Sequence, residues 1–172
     1  MGADATNASA VEKVFLAKRR DPRNVVSVAV GDVEAAREIA EFNDVADTIA
    51  QSFLPGPVTL ILKSKISIKY AVSNGNIGIR VPDDKFFGEL WKDFGRPITS
   101  TSANISGKRD PICVDDVDGS LLESVAAVVD GGRTKYEKAS TVVDVSGGNA
   151  DIVREGAVPA DILLRAVTAA KS

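Results

Sequence analysis

Residues 98–107, ITSTSANISG, carry five hydroxyls and one carboxamide and end at a glycine, Gly107. Side chains of this kind, joined by the backbone N–H groups of a tight turn, can cradle phosphate oxygens. The stretch reads equally as a strand running into a serine-rich turn that bonds its own backbone. Its place at the C-terminal end of a strand, where open α/β sheets bind ligands, tips the reading towards a site. Cations elsewhere could meet the same anion. Lys18 in AKRRDPR lies on the apolar stripe of its helix with Val11, Val14 and Phe15. With Arg20 it either snorkels off the helix end, where the dipole favours cations, or reaches a polyphosphate. In NIGIRVPDD, period-two alternation sets Asn76, Gly78 and Arg80 opposite Ile77, Ile79 and Val81. Gly78 clears space beside an arginine whose fork suits a carboxylate or phosphate, although a solvated outer face would also hold an arginine. Ser140 opens STVVDV, and Arg154 sits in the otherwise apolar DIVREGAV.

The absences narrow the chemistry further. The chain has no histidine and one cysteine, Cys113 in DPICVDD, so Ser-His-Asp and Cys-His catalysis are excluded. The same counts exclude a disulfide framework and argue against a structural zinc site; no metal-ligand set is assigned. No GxxxxGK[ST] loop occurs. Positive charges, hydroxyls and backbone amides remain, and they suit phosphoryl or nucleotidyl transfer, in which positioning and charge neutralisation do most of the catalysis.

Alternating helices and strands must position these groups. Asn7 caps a predicted helix that runs to about Arg20, where Asp21 and Pro22 break it, and VVSVAV (25–30) follows as a strand. Asp32 opens a second helix, and a third around Val45, Ile49 and Phe53 ends at LPGP (54–57). VTLILK (58–63), NIGIRV (76–81), RPITS (96–100), VAAVVDGG (125–132), STVVDV (140–145) and DIVRE (151–155) read as strands. Helices are expected over 85–94, 114–122 and 159–169. This pattern predicts an α/β fold with a mixed sheet flanked by helices.

The 172 residues fit one domain, and 44% hydrophobic with 26% charged residues is ordinary for a globular chain. A net charge of −3 gives no overall attraction for nucleic acid, apart from the local run Lys18, Arg19, Arg20 and Arg23. No apolar stretch approaches a membrane span, and MGADATNASA lacks the features of a signal peptide, so a cytoplasmic protein without membrane contact is expected.

AKRRDPRNVVSVAV, LPGPVTLIL, GIRVPDD, PITSTSANISG, STVVDV and IVREGAV, in this order, resemble the YrdC/Sua5 family of threonylcarbamoyl-AMP synthases over about Gly2 to Val158. The resemblance implies a twisted mixed sheet around a positively charged cavity. It also implies a nucleotidyltransferase that joins L-threonine, bicarbonate and ATP, with Mg2+, into threonylcarbamoyl-adenylate and pyrophosphate. A separate transferase complex would then place the threonylcarbamoyl group on adenosine 37 of tRNA. Lys18 and Arg20 match the family's K-x-R pair and would bind ATP phosphates and serve catalysis with Arg80. Ser102, Asn104 and Ser106 match its SAN-x-S and would hold the nucleotide with Ser140 and Arg154, while Arg80 and Thr101 would meet threonine. Family members carry a strand and a P-T-[DE]-T-x-Y-G-L motif ahead of G-A-D-A, which here opens the chain. A single domain short of that threonine-binding motif is therefore expected, with an unpaired sheet edge. A noncatalytic domain binding nucleotide, tRNA or double-stranded RNA, an inactive truncated form, and a domain acting on another carbamoyl compound are the alternatives.

Overall fold

The computed structural model describes residues 1–170. Asn7, Asp32, Asn43 and Asp84 each cap a helix by accepting from the backbone N–H three residues on, and so fix the starts of α1 (Ala8–Lys18), α2 (Val33–Ile39), α3 (Asp44–Phe53) and α4 (Lys85–Phe94). The strands are β1 (Ser27–Ala29), β2 (Ala40–Glu41), β3 (Val58–Ser64), β4 (Val72–Ser73), β5 (Asn76–Arg80), β6 (Ile98–Ser100), β7 (Thr141–Asp144) and β8 (Asp151–Arg154). A short α5 (Gly119–Glu123) and α6 (Ala160–Ala169) complete the fold. No described helix is long and apolar enough to cross a membrane.

The sheet runs β6-β1-β5-β3-β7-β8, with β2 on β3 and β4 on β5. β1 and β5 are parallel, as are β3 and β7, and the other pairs are antiparallel, so the sheet is mixed as expected. Register aligns Val28, Ile79, Leu60, Val143 and Ile152 in one row across five strands. The first four are fully buried, and they join Ile49 of α3 and Leu163 of α6 in the main core. Alternation turns the adjoining row, one residue away on each strand, to the opposite face. Val11 and Phe15 of α1 form a smaller cluster with Val26 beside Tyr70.

Two expected elements differ. Residues 114–122 form a 3₁₀ turn (Val114–Asp116) and then the separate α5, because Asp118 caps a new start by accepting from Ser120 N–H. Residues 125–132 form no strand. Their apolar run lacks period-two alternation, and the sheet edges beyond β7 and next to β1 are taken by β8 and β6; Val128 and Val129 face solvent instead.

The single tryptophan, Trp91 of α4, lies against Gly31, where an added Cβ would come within 2.3 Å of the indole Cε3. Gly31→Ala is expected to destabilise the fold by about 1–3 kcal/mol through overpacking and to shift the emission of that one tryptophan. Gly88→Ala, in the interior of α4 with nothing within contact of its added Cβ, should stabilise by roughly 0.5–1 kcal/mol, with urea unfolding followed by tryptophan emission as the measurement for both variants.

Candidate functional site

The row of residues beside the core row is the floor of the site. Register aligns Arg80 of β5 with Thr59 of β3, Thr59 with Val142 of β7, and Val142 with Arg154 of β8. All four line one cavity of about 480 Å³. Three interstrand spacings place roughly 14 Å of sheet between the two arginine backbones. Arg154 reaches this face through a bulge: Val142 pairs with Arg154 but Val143 pairs with Ile152, so Val153 is looped out and 60% exposed. Without that extra residue, alternation would turn Arg154 to the core side. Gly78 lies against Ser27 at β1's start, where an added Cβ would come within 2.9 Å of Ser27 Oγ, so the absent side chain keeps the floor low beside Arg80.

Hydrogen bonds hold the arginines while leaving parts of each guanidinium unused. Arg154 Nη2 donates to the Ser140 carbonyl at 2.8 Å, and Ser140 Oγ lies 2.8 Å from Thr59 Oγ1. Arg80 Nη1 makes a long bond of 3.3 Å to Ser100 Oγ, and its Nε is buried without a partner. Arg20 donates from Nε to Asn24 O and from Nη2 to Val25 O, so Nη1 has no acceptor among the described residues. Burial lowers the pKa of Arg80 and of Arg20, and nearby Arg154 adds to the effect on Arg80. Such depression means that the charged forms lack counter-charge, a deficit that a bound anion would relieve.

The hydroxyl-rich loop following β6 forms a second wall, and Lys18 sets its shape. Lys18 is the last residue of α1 and is 1% exposed. Its Nζ donates to Ser102 O at 2.5 Å, Asn104 O at 2.6 Å and Asn104 Oδ1 at 3.0 Å. Asn104 Oδ1 also accepts from Ser102 Oγ, Asn104 Nδ2 donates to Lys108 O, and Ser106 N–H donates to Lys18 O. Arg19 ends the helix in the left-handed conformation, and the Arg20 N–H folds back on Phe15 O, which brings Arg20 round to the cavity side. Burial lowers the Lys18 pKa first, Arg20 lowers it further, and Asp110 opposes both. The first residues of the chain run antiparallel to β6: Thr99 N–H donates to Ala3 O, and the Met1 amine donates to Thr101 O at 2.7 Å.

A third wall comes from residues 134–139, where Lys135 pairs with Asp83 and Tyr136 Oη donates to the same carboxylate. Arg20, Arg80, Lys135, Lys138 and Arg154 line the main cavity against two carboxylates, Asp110 and Glu137. Thr101, Ser102 and Ser140 also line it, so six of the nine residues singled out from sequence converge there. Lys18, Asn104 and Ser106 open instead onto an adjoining cavity of about 290 Å³, and Arg20 and Ser102 belong to both. Sequence reasoning missed Ser27, Thr59, Asp110, Lys135, Tyr136 and Lys138. For Thr59, its position one residue before buried Leu60 in a strand was the available signal; the 134–139 wall has no periodicity to read.

Lys18→Met should destabilise the chain by about 1–3 kcal/mol, because it removes the donor that three oxygens of the loop share. Amide exchange of residues 101–107 should accelerate more than that of the β3 and β5 core, and Lys18→Arg should restore stability only in part because a planar fork cannot match three converging acceptors.

Comparison with known proteins places this geometry among relatives. The Sua5_yciO_yrdC family profile, described as telomere recombination, matches residues 1–156. A Methanocaldococcus jannaschii protein provisionally named threonylcarbamoyl-AMP synthase is 41% identical over 165 residues, covering 96% of this chain and 78% of its own length. The Pyrococcus abyssi threonylcarbamoyl-AMP synthase is 30% identical over 162 residues, covering 92% of this chain and 48% of its own. The crystal structure of P. abyssi Sua5 complexed with L-threonine superposes with a TM-score of 0.87 at 28% identity, over 96% of this chain and 49% of that one. This chain thus spans about half the length of the P. abyssi protein.

Proposed function

Because the chain belongs to the Sua5/YciO/YrdC family, we propose that it is a threonylcarbamoyl-AMP synthase, converting ATP, L-threonine and bicarbonate into threonylcarbamoyl-adenylate and pyrophosphate. The observation that carries this reading is the row Arg80, Thr59, Val142 and Arg154 on the floor of a cavity where five cations outnumber two carboxylates. Two arginines at opposite ends of one row suit a substrate pair with an anion at each end: the carboxylate of an amino acid and the phosphates of a nucleotide.

In the reaction, the threonine amine forms a C–N bond to bicarbonate-derived CO2 and releases a proton to water. A carbamate oxygen then attacks the α-phosphorus as the bond from that phosphorus to the bridging oxygen breaks, and pyrophosphate carries away the electron pair. Arg80, with its unpartnered Nε and its neighbours Ser100 and Thr101, holds the threonine carboxylate or the carbamate. Arg20, Arg154, Ser140 and the Ser102 hydroxyl face the phosphates, and their preset positions limit reorganisation as charge moves onto the leaving group. Lys18, Asn104 and Ser106 act from the adjoining cavity. No protein nucleophile is needed, in keeping with a chain that lacks histidine.

Mg2+ accompanies ATP in this reading. The cavity's acidic donors are hard carboxylate oxygens, and the described residues contain no cluster of three or more His, Cys, Asp or Glu. That donor set fits an ion held mainly by substrate phosphates and one or two carboxylates. When bound, the ion offsets charge on the phosphates. The product would pass to a transferase that modifies tRNA.

Pyrophosphate release from ATP is expected to require both L-threonine and bicarbonate. Arg154→Ala and Arg80→Ala should each lower kcat/KM by about 10²-fold, the scale reported for removing one charge-stabilising donor. Arg80→Ala should raise KM for threonine more than KM for ATP, and Arg154→Ala should do the reverse. A form extended ahead of Met1 should bind threonine more tightly, since Met1 lines the cavity beside Thr101 and added residues would enlarge that wall. Absence of release from both forms, with RNA binding that weakens steeply with salt, would overturn the synthase reading.

A further inference from the structure

We infer that Asp110 is the residue through which the cavity engages the divalent cation of a metal–nucleotide complex, making the site selective for metal-bound over free ATP. The inference rests on the nucleotide reading above. Asp110 is exposed and lines the main cavity, and among the described residues it has no hydrogen-bond or ion-pair partner. The other carboxylates nearby are occupied: Glu137 by Arg133, Asp83 by Lys135 and Tyr136. Pro111 follows Asp110 and biases its backbone towards extended conformations.

An unpaired carboxylate in a cavity that receives a polyphosphate needs a physical account. Facing a bare triphosphate it would repel the ligand, and the cost would grow as water is displaced. A divalent ion on the phosphates reverses the sign, because it becomes the largest local charge and takes a carboxylate oxygen as a ligand. Charge balance of the empty cavity is a weaker explanation. The lowered pKa values of Arg20 and Arg80 show no opposing contribution from Asp110; only Lys18 does, and its ammonium is already bonded to three oxygens. On the far side, Arg109, Lys138, Glu137 and Glu155 line a neighbouring cavity with Asp110, and neither cation pairs with it. The carboxylate is thus approachable from two sides, with room for an ion that keeps several waters.

The test is calorimetric titration of the full chain, wild type and Asp110→Asn, with ATP alone and with ATP in excess Mg2+, without threonine. The wild type should bind the Mg2+ complex at least about tenfold more tightly than free ATP, a coupling within the usual range between linked ligands. Asp110→Asn should bind free ATP more tightly than the wild type and lose most of the Mg2+ preference, with an unchanged melting temperature. A variant that keeps the wild-type preference, or a wild type that binds both forms alike, overturns the assignment and leaves the synthase reading intact. A wild type that binds neither form removes both readings.

Discussion

One buried ammonium organises the site. Lys18 leaves the core at the end of α1 and gives all three of its protons to oxygens of Ser102 and Asn104. A charge at 1% exposure is tolerable only when its hydrogen-bonding capacity is met, and here the loop following β6 supplies the oxygens. The dependence runs in both directions: the lysine needs the loop's carbonyls, and the loop, rich in small residues with alternative local bonds, needs the lysine to select one shape. Lys18 therefore belongs to the positioning of the hydroxyl wall as much as to its charge. Arg20 is placed by the same helix end, since the left-handed turn at Arg19 is what redirects the chain.

The floor depends on a different constraint, the period of two along a strand. Leu60, Ile79 and Val143 face the core while Thr59, Arg80 and Val142 face the cavity, and the two sets are single-residue neighbours. Stability and function therefore share the same short strands and are divided only by face. Arg154 is the exception, since β8 reaches the required phase by looping out Val153. Burial holds down the pKa of Arg20 and of Arg80, and Arg154 adds to the effect on Arg80, so the guanidiniums gathered in this way are partly desolvated.

Much of this was legible in the sequence because it rests on local rules. Caps at Asn7 and Asp32, breakers at Pro55 and Pro57, and alternation in NIGIR all act within a few residues and appear where expected. Arg80 and Arg154 stood out singly among apolar neighbours, whereas their gathering with Arg20 in one cavity was implied only by the family resemblance. Three features were not readable. The bonding of Lys18 depends on residues more than 80 positions away. The failure of 125–132 to form a strand depends on which sheet edges other strands occupy. The wall at 134–139 is irregular and is held by Asp83, some 50 positions earlier. Each of these is a tertiary decision, and no window of local sequence contains it.

The antiparallel run of Met1 to Asp4 beside β6 also has a practical side. The Met1 amine lies against Thr101 and close enough to Lys18 and Arg80 for both to help burial hold its pKa down to about 6. An unrelated acidic tag joined at this end would start at the cavity wall that Met1 forms, where a flexible leader is a tethered competitor for the cavity's cations at high effective concentration. The purification handle therefore belongs at the other end, beyond α6, whose buried face packs against α3 on the far side of the core from this row of arginines.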